Sequence, residues 1–364
     1  MKELDVIDRL RKAFPGCGIG DDAAVLPPTE GELLFAADAA VEGVHFDRRF
    51  CTLSQAVQKL VTSNVSDIFA MGGSPGSIVF TAGLPSGCRA AEVDGIIDGL
   101  KRACAQYGVA LVGGDTVLQP GGFVFNIAIV GEVGQGRALL RSGARVGDCI
   151  VLFGKIGRSL AGLRILSVLY GGGINETVSA ASASGLLESA QGMKRALPGL
   201  TLSTSGVELS RIAGAFGRLP HAEEAMRCIQ HHLTPLAIPL GAAVLEADPR
   251  RITAMIDVSD GVAKDLRTLC AESGVGAMVR EDALPVPPAL KEMFQLDDSS
   301  LADFALSSGE EYVLLGAVAP EGAGTLPPGA AVIGSFVPAS DGINLMDGKT
   351  GSRPLPAVGY EHAF

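Results

Sequence analysis

Tryptophan is absent from the 364-residue chain, tyrosine occurs four times, and aromatic residues make up 5% of it. Apolar residues nevertheless reach 47%, with many Gly and Ala, enough for a sizeable core. Cations are in deficit, 29 Lys and Arg against 40 Asp and Glu, for a formal charge of −11. That argues against nucleic-acid binding, which requires a basic face, and it means that a bound polyphosphate would need metal cations beside it. The seven cysteines, at 17, 51, 88, 104, 149, 228 and 270, include no C-x-x-C pair. Their spacing and odd number suit reduced thiols better than a disulfide framework or a zinc site. No apolar run is long enough to cross a membrane. The opening segment MKELDVIDRLRKAF is charged throughout and has no apolar h-region, so no signal peptide and a cytoplasmic location are expected. Neither a tight internal repeat nor a coiled coil is present.

What is present is an alternation of helical and strand patterns, long enough for two α/β units. An amphipathic helix is expected over 3–14, a strand in ELLFAAD ending at Asp38, and a strong helix in TLSQAVQKLVTSNVSDIFAMGG. Thr52 and Gln55 form a capping box at its start, and Gly72-Gly73 stop it. On that helix Leu60, Asn64, Asp67 and Met71 share a face. A strand in GSIVFTAGL, a helix over 90–107, a strand in VALVGGD ending at Asp115 and a strand in FVFNIAIVGEV complete the first unit. A Gly- and Arg-rich connection over 135–148 marks a boundary, giving domains 1–136 and 137–364. The second unit holds strand CIVLFG, a helix near 158–170, strand ITAMID ending at Asp257, a helix after Asp260 and strand EYVLLGAVA. Residues 171–228 read as an insertion of loops and short helices.

The first clue to chemistry is GIGDDAAVL, residues 18–26. Two unit charges about 4 Å apart repel by roughly 4 kcal/mol at an effective dielectric near 20, and a turn needs one Asp at most. Asp38, Asp115 and Asp257 each fall at the expected end of a strand, the usual ligand-binding edge of an α/β sheet. Several acids in one cleft require cations, and oxygen-only ligands suit Mg²⁺ bound together with substrate phosphates. The lookalikes are poorer. GIGDDA follows no clean strand, and its acids would repel a pyrophosphate. GKIGRS lacks the full Walker pattern, although its glycine-rich turn could offer backbone N–H groups; a plain turn is the expectation there. His231-His232 is expected at the surface, and Cys17 as a small buried thiol.

GIGDDAAVL, VHF, NVSDIFAMGGSP, LVGGDT, GRALLRSGARVGD, DVSDG, LSSGEEY and the final GYEH occur in that order. Over about 1–168 and 229–364 the chain resembles the thiamine-monophosphate kinases, of the superfamily that includes aminoimidazole ribonucleotide synthetase. The resemblance implies an α/β (α+β) fold of two domains, with N-terminal sheets forming a barrel between the halves of a homodimer. It implies direct transfer of the γ-phosphoryl group of ATP to thiamine monophosphate, with several Mg²⁺ ions. It makes Asp22, Asp38, Asp67, Asp115, Asp257 and Asp260 metal positions. Tyr107, a GGD turn at Gly114-Asp115, Arg141 and Ser259 match nucleotide contacts, and His45 and Glu310 match substrate contacts. No single catalytic side chain is implied; positioning and charge neutralisation carry phosphoryl transfer.

The chain departs from the family pattern in several places. Ala36-Ala37 stand for Ser-Thr before Asp38, and Ala39 for the Thr after it. SGGEDYEL becomes SSGEEYVL, changing Ser308, Glu311 and Val313. The R-x-x-P-x-P-R element is HHLTPLAIP, and Ala357 or Val358 replaces an aromatic before GYEH. Two alternatives follow: an enzyme of the same fold with another acceptor, and a non-catalytic nucleotide-binding relative. A selenophosphate synthetase is disfavoured by the lack of a Cys/Lys pair near Cys17, and a hydrogenase-maturation role by the ending EHAF.

Overall fold

The computed structural model describes residues 3–15, 23–24, 26, 28–170, 221–240, 251–347 and 351–361. Asp21, Asp22, Cys17 and most of the expected insertion, 171–220, lie outside the described residues.

Helix α1 (Glu3–Ala13) precedes strand β1 (Glu32–Val41). Helix α2 (Leu53–Ala70), strand β2 (Ser74–Pro85), helix α3 (Ala90–Tyr107) and strands β3 (Ala110–Gln119) and β4 (Val124–Val133) follow. The four strands form one sheet in the order β1-β4-β2-β3, in which only β2 and β3 run parallel. Helix α3 is the long crossover that a parallel pair requires. The capping box of α2 forms as its sequence predicts: the Gln55 N–H donates to Thr52 Oγ1 at 3.2 Å and the Thr52 N–H to Gln55 Oε1 at 2.9 Å. Val57, Val61, Val65 and Ile68 of α2 are at most 1% exposed. Each such side chain contributes about 1.5–3 kcal/mol of burial, and together they fix α2 against Ile78, Phe80, Phe125, Ile127 and Ile129 of the sheet.

The second sheet contains β5 (Cys149–Phe153), β6 (Ile252–Asp257), β7 (Val275–Arg280), β8 (Leu314–Val318), β9 (Ala330–Pro338), β10 (Ile343–Asp347) and β11 (Gly351–Pro354). Its order is β11-β10-β7-β9-β5-β8-β6. Helix α4 (Arg158–Tyr170) pairs with α5 (Ala222–Leu233), and α6 (Val262–Ser273) lies in chain order between β6 and β7. Short helices α7 (Ala289–Met293) and α8 (Asp298–Leu306) lead into β8. Gly162 lets α4 and α5 touch: a Cβ there would lie 2.2 Å from the Cys228 carbonyl oxygen.

Several expectations need correction. Asp38 and Asp115 lie inside their strands, because both strands continue past the acid, to Val41 and Gln119. Gly114-Asp115 is therefore strand and not a turn, and Gly114 is needed because a Cβ would lie 2.0 Å from the Phe80 carbonyl oxygen. The last residues of the expected insertion, 222–228, begin α5, whose apolar side carries Ala225, Cys228 and Ile229 into the core. The strand expected in EYVLLGAVA is ordered only from Leu314 to Val318. Before it, Glu310 and Tyr312 take left-handed backbone that no strand tolerates. His232 is 4% exposed and not at the surface.

Candidate active site

Helix α2 runs between the two sheets and organises the acids. The Ser63 hydroxyl donates to Asp38 Oδ2 at 2.7 Å, reaching to β1. One helical turn on, the Ser66 hydroxyl donates to Asp257 Oδ2 at 2.9 Å, reaching to the end of β6. Asp67 lies beside them. Burial raises its carboxyl to about 8, and the charges of Asp257 and Asp38 add to the rise. Asp257 is 3% exposed, and burial raises it to about 6; the Ser66 hydroxyl pulls down and the Asp38 charge pushes up. Arg141, in the connection between the sheets, lowers both values.

The signal for this arrangement lay one stripe away from the face singled out in the sequence. Lys59, Ser63 and Ser66 follow three- and four-residue spacing, and they hold Glu310, Asp38 and Asp257 in turn. Asn64, on the expected stripe, is buried and its Nδ2 donates back to the Leu60 carbonyl at 2.9 Å. Asp265 was also missed. It is 4% exposed at the start of α6, and its carboxylate accepts the Gly261 N–H at 3.1 Å and the Asp260 N–H at 3.3 Å. Burial, followed by the charges of Asp257 and Asp260, raises it to about 7. An acid four residues beyond Gly261, in the first helical turn, was the available clue.

Asp260 is half-exposed and pairs with Lys264 at 2.8 Å. The Ser259 carbonyl oxygen accepts the Glu310 N–H at 2.7 Å. Glu310 forms an ion pair with buried Lys59, and His232 Nδ1 lies 3.6 Å from the same carboxylate. Burial holds His232 well below the usual imidazole range, and Lys59 adds to that, so the ring is neutral. His45 lies in the turn after β1, where its Nδ1 accepts the Val41 N–H at 3.1 Å.

Two sequence candidates stand apart from the acids. Register partners in a sheet point to one side. Asp38, Ile127, Phe80 and Gly114 share the helix-covered side, whereas Ala39, Asn126, Thr81 and Asp115 share the opposite one. Asp115 is thus exposed on the outer face of its sheet. The Tyr107 hydroxyl is bound behind α2, 2.9 Å from Thr62 Oγ1 and accepting the Ala237 N–H at 3.1 Å. It lines a cleft of about 990 Å³ with Gln58, Lys155, Arg158, His231 and Tyr312. The perturbed carboxylates, and not the volume of that cleft, mark the candidate place for a charge-dependent reaction.

The donor set suits a hard divalent cation. Asp38, Asp67 and Asp257 offer oxygen only, and their mutual repulsion calls for positive charge. Among the described residues no three acidic, His or Cys side chains converge as a ready-made cage.

Comparison with known proteins gives the same direction. Residues 20–133 match the family described as AIR synthase related protein, N-terminal domain. A thiamine-monophosphate kinase of Salmonella typhimurium is 32% identical over 305 residues, covering 82% of this chain and 74% of the relative. One from Pyrococcus horikoshii is 28% identical over 368 residues, covering 100% of this chain and 96% of the relative. Among solved structures, AaThiL complexed with AMPPCP and TMP superposes with a TM-score of 0.67 at 25% identity, covering 99% of this chain and 97% of that one.

Proposed function

The chain belongs to the thiamine-monophosphate kinase family, and from that premise we propose that its acid centre is where ATP phosphorylates thiamine monophosphate. The reaction breaks the bond between the γ-phosphorus of ATP and its bridging oxygen. A phosphate oxygen of thiamine monophosphate forms the new bond, giving thiamine diphosphate and ADP. The observation that carries the assignment to this place is the pair of raised carboxyls, Asp67 and buried Asp257, gathered with Asp38 along α2.

Asp38, Asp67 and Asp257 would hold Mg²⁺, with Asp22 and Asp260 as further candidates. Bound there, the metal supplies neutralisation of phosphate charge and a template for in-line transfer. The protein's own part is positional. Ser63 and Ser66 fix two carboxylates without cancelling their charge. Arg141 is a forked cation suited to phosphate oxygens, and Ser259 would join it at the nucleotide. Glu310 and His45 would face the acceptor. Asp115 and Tyr107 stand apart from this centre: Asp115 lies across the sheet and Tyr107 behind α2. Gly114 serves the packing of β3.

The same reading takes 1–136 and 137–364 as the two domains, a cytoplasmic site of action and a homodimer. The outer face of the first sheet supports the dimer. Leu33, Phe35 and Val117 are between 47% and 73% exposed there, an apolar patch of the kind that marks an interface. No described helix is long and apolar enough to cross a membrane.

The test is a single-turnover reaction of the full chain with ATP, Mg²⁺ and thiamine monophosphate. Thiamine diphosphate and ADP are expected in equal amounts. Mg²⁺-dependent ATP binding without thiamine diphosphate would move the assignment to another acceptor. The altered motifs around Ser308, Glu311 and Ala357 keep that second reading in view.

A further inference from the structure

The turn before β8, residues 307–313, is under strain that its own sequence does not relieve. Glu310 and Tyr312 hold φ of 55° and 50°. For residues with side chains such a conformation is costly and persists where surroundings over-determine it. Part of the support is backbone. The Glu310 N–H donates to the Ser259 carbonyl at 2.7 Å, the Tyr312 N–H to the Val258 carbonyl at 2.9 Å, and the Val258 N–H to the Val313 carbonyl at 2.8 Å. The turn is thereby tied to the segment that directly follows Asp257. Gly309 allows the close approach: a Cβ there would lie 2.7 Å from the Ser259 carbonyl oxygen.

Glu311, between the two strained residues, is 0% exposed. Its Oε1 accepts the Gly157 N–H at 2.8 Å, the Ser159 N–H at 3.0 Å and the Ser308 hydroxyl. Ser308 Oγ in turn accepts the Leu160 N–H at 3.1 Å. These are the unpaired N–H groups of the first turn of α4, where a negative charge is favoured. The glycine-rich turn GKIGRS thus already has an anion, and the anion is a side chain of this protein. Glu311 Oε2 lies 2.8 Å from His231 Nε2, out of line for a hydrogen bond. Ser308 and Glu311 are both departures from the family motif, and they contact each other.

We infer that Glu311 is a positioning residue. Anchored on Ser308 and on the first turn of α4, its carboxylate fixes the left-handed turn that aims Glu310 at Lys59 and pins the backbone beside Asp257. It touches no reacting atom. The activity readout rests on the kinase reading above; the structural readout does not.

The experiment compares the full chain with Glu311→Asp, which keeps the charge but withdraws it by one methylene, and Glu311→Gln, which keeps the reach but removes the charge. Unfolding midpoint, kcat, KM for each substrate and hydrogen exchange by peptide are measured together. For Glu311→Asp, the KM for thiamine monophosphate rises about tenfold while kcat changes less than about threefold. Exchange speeds up at 307–313 and 258–259 as well as at 157–160. A lowered midpoint with unchanged KM, and faster exchange confined to 157–160, would make Glu311 a helix cap only and overturn the inference. If the unaltered chain does not turn over thiamine monophosphate, the kinase reading fails. The exchange pattern then decides the inference by the same two outcomes. Ser308→Ala removes one donor and keeps the test open should both Glu311 variants fail to fold. It shifts exchange at 307–313 in the same direction by a smaller amount, and no shift there would refute the role.

Discussion

Replacing Asp67 by Asn makes the metal-free protein more stable while abolishing its response to Mg²⁺. A carboxyl moved by burial and by its acidic neighbours from 3.8 to about 8 carries about 6 kcal/mol of differential interaction, at about 1.4 kcal/mol per pH unit. Only the part below the working pH is realised. Solvent at this half-buried side chain and relaxation around Asp257 reduce it further, so about 1–3 kcal/mol is expected near neutral pH. The sign follows from the direction of the shift. Below 3.8 the acid is protonated in folded and unfolded chains alike, and no penalty exists. As pH rises the unfolded chain ionises first, so the penalty grows and levels off above about 8. Urea unfolding in EDTA, from about pH 5.5 to about pH 8.5, should show the variant's advantage widening with pH. Mg²⁺ should then stabilise only the unaltered chain, by about 2.7 kcal/mol at a hundred times its Kd. A variant less stable than the parent at high pH, a gap independent of pH, or an equal Mg²⁺ response in both would refute the electrostatic argument.

Two further predictions concern packing. Gly162→Ala places a methyl 2.2 Å from the Cys228 carbonyl oxygen and 2.8 Å from His232 Cβ. It should cost about 1–3 kcal/mol in denaturant unfolding by forcing α4 and α5 apart; a neutral result would mean the helix pair is not tightly seated. Phe35→Glu puts a charge on the outer sheet face, where Phe35 is 73% exposed. Sedimentation should show a dimer for the parent and a monomer for the variant, with an unfolding midpoint of the monomer close to the parent's at low concentration. A variant that stays dimeric would remove this face from the interface.

Much of the architecture was legible because it rests on local chemistry. The capping box at Thr52 and Gln55 and the periodicity of 90–107 and 158–170 are properties of short segments, and the structure follows them. The acids were legible as a set, since a run of carboxylates in apolar surroundings has few other uses. Their placement was not. Whether an acid ends a strand or lies within it depends on cross-strand pairing, and β1 and β3 are extended beyond Asp38 and Asp115 by partners on β4 and β2. A one-residue difference in strand position then selects the face, which separates Asp115 from Asp38. His232 reads as polar surface because it follows the polar pair Gln230 and His231. Contact with α4, through Gly162 and Ser159, is what buries it.

The choice of partners given to each acid separates two kinds of carboxylate. Asp260 and Glu310 are held by Lys264 and Lys59, so their charge is already answered within the protein. Asp38 and Asp257 are held by the hydroxyls of Ser63 and Ser66, which orient an oxygen but leave its charge in place. Hydroxyl donors at these positions keep the centre anionic at the cost of folding stability, and that cost is recovered only when a cation arrives. On the kinase reading, the centre thus favours a metal carried in with the nucleotide over one bound permanently. Glu310, neutralised by Lys59, is then free of that duty and suited to steering the acceptor. Lysine at position 63 would answer the charge of Asp38 within the protein, but it would occupy the place of the cation on which phosphoryl transfer depends.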